Sequence, residues 1–289
     1  MTLDRWPASR FALRRFFQGK LFLRGLRLGD PEARGTILYI HGLGESALCF
    51  EALVSDPRLA GWAHLAPDLL GYGRSTWPAR PRSVTDHADD LAELIRGCPE
   101  LVAAGDRLVL LGHSMGGVIG LELIRRLGRR RVACFLNVEG NVTLDDCGFS
   151  SRAAGHSESD WLEGGGYARF VDAVFTLSDG TPATESAAVA RAYGASVLFA
   201  DPRTLLLNSE DLVRESRAET LAGRYAEAGV PTVYLHGRPR GTGERSLGQL
   251  AAAGLAETRG FAPAGHWPFL DQHDAFARAV AEILDGASA

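Results

Sequence analysis

With 289 residues, 46% of them hydrophobic and 23% charged, the chain has enough apolar content for one large core and an inserted subdomain. A net charge of -4, with no stripe of interleaved basic and aromatic residues, excludes a general electrostatic grip on nucleic acid. Lys20 is the only lysine, which sets aside lysine-based covalent chemistry; Cys49, Cys98, Cys134 and Cys147 lie scattered without metal-ligand spacing, so no metal is expected.

The N-terminal stretch carries Arg5, Arg10, Arg14 and Arg15 among apolar residues, with no unbroken hydrophobic run and no cleavage signal. No segment reaches the length of an uncharged membrane span, and a cytoplasmic protein is expected. Short apolar runs then alternate with segments of helical period, the pattern of βα units on a mostly parallel sheet. Strands are predicted at 21–28, 36–40, 63–66, 107–111, 132–138, 231–235 and about 257–261. In such a sheet the turns after the strands are where ligands bind.

The second of these runs leads into His41-Gly42-Leu43-Gly44-Glu45-Ser46. Gly42 and Gly44 have the opening spacing of a dinucleotide loop, yet position 47 is Ala47 and no acidic residue follows a second strand at the right distance, so no cofactor is expected. The third run leads into Asp68-Leu69-Leu70-Gly71-Tyr72-Gly73-Arg74-Ser75, and the fourth into Gly112-His113-Ser114-Met115-Gly116-Gly117, with helical period over 118–127. A serine on a strand-to-helix turn needs glycines two residues to either side, because side chains there would clash at the strained position. The turn points the hydroxyl outward at a helix N-terminus, whose N–H groups favour developing negative charge. Gly128 should cap that helix, leaving Arg129-Arg130-Arg131 as a solvated end. The strand at 132–138 runs into Glu139-Gly140-Asn141.

Residues 141–229 separate two predicted strands by far more than an ordinary connection, and are expected to form a helical cap inserted in a core of residues 1–140 and 230–289. Trp161, Tyr167, Phe170, Phe175, Tyr193 and Phe199 give the cap aromatic mass, while Gly164-Gly165-Gly166 is either a hinge or a loop. Beyond it come His236-Gly237-Arg238-Pro239-Arg240-Gly241-Thr242-Gly243-Glu244 and then Ala264-Gly265-His266-Trp267-Pro268-Phe269. A closing helix near 274–284 puts Phe276, Val280, Ile283 and Leu284 on one face. Of the eight histidines, His266 follows the serine in chain order and has aromatic neighbours able to exclude water. His236 is its main rival, and His113 is expected to pack beneath the serine turn.

On the strand–turn–helix around Ser114, the His41-Gly42 turn, the Asp68 to Ser75 turn and the Gly265-His266 turn, the chain resembles the α/β-hydrolase family over roughly its first 140 and last 60 residues. The resemblance implies an α/β fold with a mostly parallel sheet flanked by helices. It implies Ser114 as nucleophile, His266 as general base, a structural role for Asp68, and an oxyanion hole made by the N–H groups of Leu43 and Met115. Each such donor is worth roughly 3–4 kcal/mol.

The family usually carries its aspartate after the strand at 231–235, where this chain has Arg238 and Arg240 instead. A minority, many haloalkane dehalogenases among them, carries the acid after the preceding strand. The matching residue is Glu139, with Glu244, Asp145 and Asp146 as alternatives. Serine in place of the dehalogenases' aspartate nucleophile disfavours carbon–halogen chemistry. The expected reaction is hydrolysis of a carboxylic ester, thioester or lactone through an acyl-serine, without cofactor or metal, on a small molecule with an apolar acyl or alcohol group. Acyl transfer or cyclisation by the same residues, and a ligand-binding or receptor role on the same fold, stay open.

Overall fold

Strands buried on both faces read as unbroken apolar runs rather than as alternating ones, and the middle of this sheet is made of such runs. The computed structural model describes residues 11–16, 19–102, 108–173 and 187–286. Its strands are β1 (Phe11–Phe16), β2 (Gly19–Leu26), β3 (Thr36–Ile40), β4 (Ala63–Pro67), β5 (Leu108–His113), β6 (Val132–Val138), β7 (Thr232–Pro239) and β8 (Glu257–Ala264). They form one 8-stranded sheet in the order β1-β2-β4-β3-β5-β6-β7-β8. β1 and β2 form an antiparallel hairpin, β2 runs antiparallel to β4, and the remaining pairs are parallel.

Every residue of β3, β4 and β5 is buried, as the apolar runs require, whereas the edge strand β8 alternates. β1 has no counterpart among the predicted strands. Arg14 and Arg15 interrupt the apolar pattern of its sequence, and β1 lies at the edge of the sheet. β5 runs on to His113, two residues beyond the predicted end, while Arg107 lies outside the described residues.

The register of the parallel strands positions the site. Ile40 lies opposite Gly112, His113 opposite Val138, and Val138 opposite Leu235. The turns holding His41, Ser114, Glu139 and His236 therefore stand side by side at one end of the sheet, where the ligands of open parallel sheets bind.

On the flanks, α1 (Val84–Gly97) opens with a reciprocal cap between Ser83 and Asp86. It packs beside α2 (Met115–Leu127). α2 begins at Met115, three residues before the predicted start, because Gly116 and Gly117 carry no periodic side chain yet occupy its first turn. Gly128 ends it at φ +85°, and Arg129 and Arg130 are exposed, in line with a solvated helix end.

Between β6 and β7 lie α3 (Ser150–Ala154), α4 (Glu158–Leu162), α5 (Gly166–Ala173), α6 (Ala187–Val197), α7 (Pro202–Arg217) and α8 (Leu221–Ala226). α7 docks on the loop between β4 and α1: the Tyr72 hydroxyl donates to Asn208 Oδ1 (2.7 Å), and Asn208 Nδ2 donates to the Arg82 carbonyl (2.7 Å). α8 rests on α2, where Arg224 pairs with Glu122 at 2.6 Å. Trp161 packs against Tyr167 and Phe170, with ring centroids 5.5 and 5.4 Å apart, so three of the six expected aromatic residues pack against one another within this segment. Phe199 is 64% exposed, and Phe175 lies outside the described residues. Gly165, at φ +81°, makes the turn between α4 and α5. After β7 come α9 (Glu244–Ala252), α10 (Pro268–Asp271) and α11 (His273–Gly286), the last burying Phe276, Val280, Ile283 and Leu284. Among the described residues no helix is long and apolar enough to cross a membrane.

Candidate active site

Ser114 sits at φ 53° and ψ -118°, in a region that side chains other than glycine rarely occupy. The turn is held by its N–H, which donates to the Val138 carbonyl across to β6 (2.8 Å). A Cβ on Gly116 would lie 2.0 Å from the Ile40 carbonyl oxygen, and one on Gly112 would lie 2.3 Å from the Gly116 oxygen. Both glycines are thus dictated by backbone contact.

The turn after β3 closes on the serine from the other side, since a Cβ on Gly42 would lie 3.0 Å from Ser114 Cβ. Among the described residues neither the Leu43 nor the Met115 N–H has a protein acceptor. The Leu43 carbonyl accepts from the Tyr193 hydroxyl of α6 (2.9 Å), tying this turn to the segment above it. Asp68 holds a neighbouring turn together: its carboxylate accepts from the N–H groups of Ala47 (2.7 Å) and Arg74 (2.9 Å). His41 also stays within its turns, with Nε2 accepting from the Leu69 N–H (3.0 Å).

Glu139 follows β6 at φ 52°, is 4% exposed, and brings Oε2 to 3.4 Å from His266 Nδ1. Its carboxylate also accepts from Gly237 N–H (2.6 Å), Thr242 N–H (3.2 Å) and the Thr242 hydroxyl (3.1 Å). The loop after β7, which lacks an aspartate, thus supplies donors to the carboxylate of the preceding strand. A Cβ on Gly241 would lie 2.2 Å from Glu139 Oε1, so the close wrap depends on a glycine there. Arg238 and Arg240 are exposed.

The alternatives are placed differently. Glu244 is exposed at the start of α9, and Asp145 is exposed with Arg245 at 3.7 Å. Asp146 reaches the same cavity as Ser114 but accepts from Val142 N–H (2.9 Å), Thr143 N–H (2.8 Å) and the Ser246 hydroxyl (2.8 Å); burial pushes its carboxyl above the usual range. His236 is buried, with Nδ1 at 3.3 Å from the Gly237 oxygen, and burial pulls its imidazole below the ordinary value.

Ser114, His266 and Leu43 line one narrow cavity, with Phe149, Tyr193 and Trp267 among the remaining walls. No hydrogen bond joins the Ser114 hydroxyl to the His266 ring; the shared cavity relates them. A larger, mostly apolar cavity of about 630 Å³ lies beyond Glu45, Tyr193 and Trp267, with Leu48 and Phe199 on its wall.

Two participants escape the sequence. Phe149 packs 6.0 Å from the His266 ring and 5.3 Å from Tyr193, from a stretch with no motif. Glu45 is 3% exposed and joins the turns from below: Oε2 accepts from Gly42 N–H (2.6 Å) and meets His113 Nδ1 (2.9 Å), while Oε1 accepts from the Trp267 indole. Its partners lie 68 and 222 residues away for His113 and Trp267, so only the fold reveals the cluster.

The sequence profile of the alpha/beta hydrolase family matches residues 37–279. The chain belongs to that family. Among curated relatives, "Probable esterase PIR7A" of Oryza sativa subsp. indica is 37% identical over 103 residues, 34% of this chain and 37% of that one. The match thus spans little more than a third of that relative's length. Of solved structures, an esterase from Thermogutta terrifontis superposes with a TM-score of 0.71 at 18% identity, covering 97% of this chain and 100% of that one. An N-acyl homoserine lactonase, AidH, in complex with N-hexanoyl homoserine lactone gives 0.68 at 21%, covering 96% and 98%. At such identities the likeness is one of fold.

Proposed function

We propose that this alpha/beta hydrolase is a serine esterase that cleaves a carboxylic ester, thioester or lactone through an acyl-Ser114 intermediate. The observation that carries the reading is the buried Glu139 carboxylate at Nδ1 of His266, a histidine that lines one cavity with a serine held at positive φ. In this reading Glu139 keeps the proton on Nδ1, which leaves Nε2 free to act as base. Ser114 Oγ attacks the carbonyl carbon as its proton passes to His266 Nε2, and the carbonyl electrons move to an oxyanion facing the Leu43 and Met115 N–H groups. Collapse breaks the bond to the leaving oxygen or sulfur, which takes the proton from His266. Water then attacks the acyl carbon and gives a proton to His266; as the bond to Ser114 Oγ breaks, Oγ takes that proton back and the acid is released.

Residues 141–229 act as the cap in this account, with α6, α7 and α8 each contacting the core. The walls Phe149, Tyr193 and Trp267 suit a small molecule with an apolar acyl or alcohol group. Likeness to a probable rice esterase, and in fold to an esterase and an N-acyl homoserine lactonase, supports ester and lactone chemistry. The test is a panel of esters, thioesters and lactones of matched acyl groups, assayed with the protein and with Ser114→Ala. Turnover of at least one class that disappears in Ser114→Ala supports the reading. Equal turnover by both proteins, or release of little free acid once an alcohol acceptor is added, argues for a different chemistry.

A further inference from the structure

Glu45 and His113 form a closed cluster whose protonation follows from its hydrogen bonds. His113 Nε2 lies 2.7 Å from the His266 carbonyl oxygen, which only accepts, so Nε2 carries a proton. His113 Nδ1 lies 2.9 Å from Glu45 Oε2. That carboxylate also accepts from the Gly42 N–H and the Trp267 indole and faces the Cys49 thiol at 3.7 Å, so donors surround it. A carboxylate so surrounded is ionised, and Nδ1 then donates as well. An imidazole that donates from both nitrogens is an imidazolium. Burial alone would pull His113 down, but the Glu45 charge and hydrogen bond raise it; burial pushes Glu45 up, and His113 with the other donors brings it down to about 2.

We infer that Glu45 and His113 are positioning residues, a buried ion pair that locks the Gly42-Leu43 turn and the His266-Trp267 loop to the elbow as one unit. One end of the pair holds the N–H of the residue before Leu43, and the other holds the backbone of His266 itself. The His113 ring also packs against the His266 ring, with centroids 4.8 Å apart. Glu45 reaches the wall of the Ser114 cavity and His113 lies behind it, and in this scheme neither bonds to the reacting atoms. Their work is to fix the distance between the oxyanion donors and the base, where misplacement of an ångström costs catalysis heavily. The inference rests on the Ser114–His266 reading above.

Glu45→Gln keeps the size of the side chain while placing an NH2 or a neutral oxygen against donors that need an anion, and His113→Phe removes both bonds. The experiment measures kcat and KM on the ester turned over best, the rate of Ser114 labelling by a fluorophosphonate, and inhibition by a trifluoromethyl ketone, which adds to serine to mimic the oxyanion. Rates are normalised to the folded fraction by active-site titration. The expected result is a fall in kcat of roughly 10- to 100-fold with little change in KM. Labelling should slow and trifluoromethyl ketone binding should weaken by similar factors. A merely structural pair would lower the folded fraction and leave the normalised kcat and ketone affinity as in the wild type; that result in either variant overturns the inference. If Glu45→Gln does not fold, His113→Phe and His113→Gln carry the same test. Wild-type protein that takes no label on Ser114 overturns the underlying reading and this inference together, whereas normal wild-type labelling with unaltered variants overturns the inference alone.

Discussion

A single methyl group decides whether the serine turn exists, because a Cβ on Gly116 would sit 2.0 Å from the Ile40 oxygen, backbone against backbone. Gly116→Ala should therefore destabilise the protein by about 1–3 kcal/mol, as overpacking does elsewhere, and urea unfolding checks it. An unchanged midpoint would mean that the turn has room the geometry denies. Glu139 is a residue of the opposite kind, tolerated at positive φ for what its carboxylate touches. Glu139→Gln keeps the shape but loses the charge that steadies the imidazolium, and kcat should fall by roughly 10³- to 10⁴-fold with Tm little changed. Near-full activity in Glu139→Gln, with loss in Glu244→Gln, would move the acid elsewhere. Ser114, Gly112 and Gly116 were legible in the sequence because a local backbone constraint demands them. Glu45 was not, since nothing within its own turn distinguishes it from a solvated glutamate.

At the scale of elements, β3, β5 and the loop after β8 are joined through the Glu45–His113 pair, and the pair makes stability depend on pH in a definite direction. Glu45 has a folded value near 2 against an ordinary 4.5, so its contribution is present above 4.5 and fades as pH falls toward 2. His113 is raised above its ordinary 6.5, so its contribution is full below 6.5 and is lost as pH rises through the folded value. The Tm difference between wild type and Glu45→Gln should be widest between pH 4.5 and 6.5 and should narrow on either side. A difference that stays flat from pH 3 to about 9 would contradict a charged pair. Element legibility followed burial. The enclosed strands β3 to β6 announced themselves as apolar runs, while β1 is broken by Arg14 and Arg15 and the first turn of α2 is hidden by glycines.

For the whole molecule, the segment between β6 and β7 supplies Phe149, Tyr193 and Leu212 to the walls of the cavity at Ser114. The cavity at Ser114 is narrow, and Tyr193 and Trp267 stand between it and the larger one. Short acyl esters should accordingly be preferred, with kcat/KM declining as the acyl chain lengthens. Tyr193→Ala removes part of that wall and should shift the preference to longer chains, read from a series of p-nitrophenyl esters; an unmoved profile would mean that the acyl group lies elsewhere. The sequence indicated an insertion here from its length alone. It did not indicate which aromatic residue faces the serine, because Trp161, Tyr167 and Phe170 serve packing while Tyr193 and the unremarked Phe149 line the cavity.

The central claim is that Ser114 is a nucleophile activated by His266. Its most direct test is to treat the purified protein with a fluorophosphonate and locate the adduct by peptide mass spectrometry. One adduct per chain on Ser114, abolished in Ser114→Ala and strongly slowed in His266→Ala, is the predicted result. A folded protein that takes no adduct, or takes it at another serine, would contradict it.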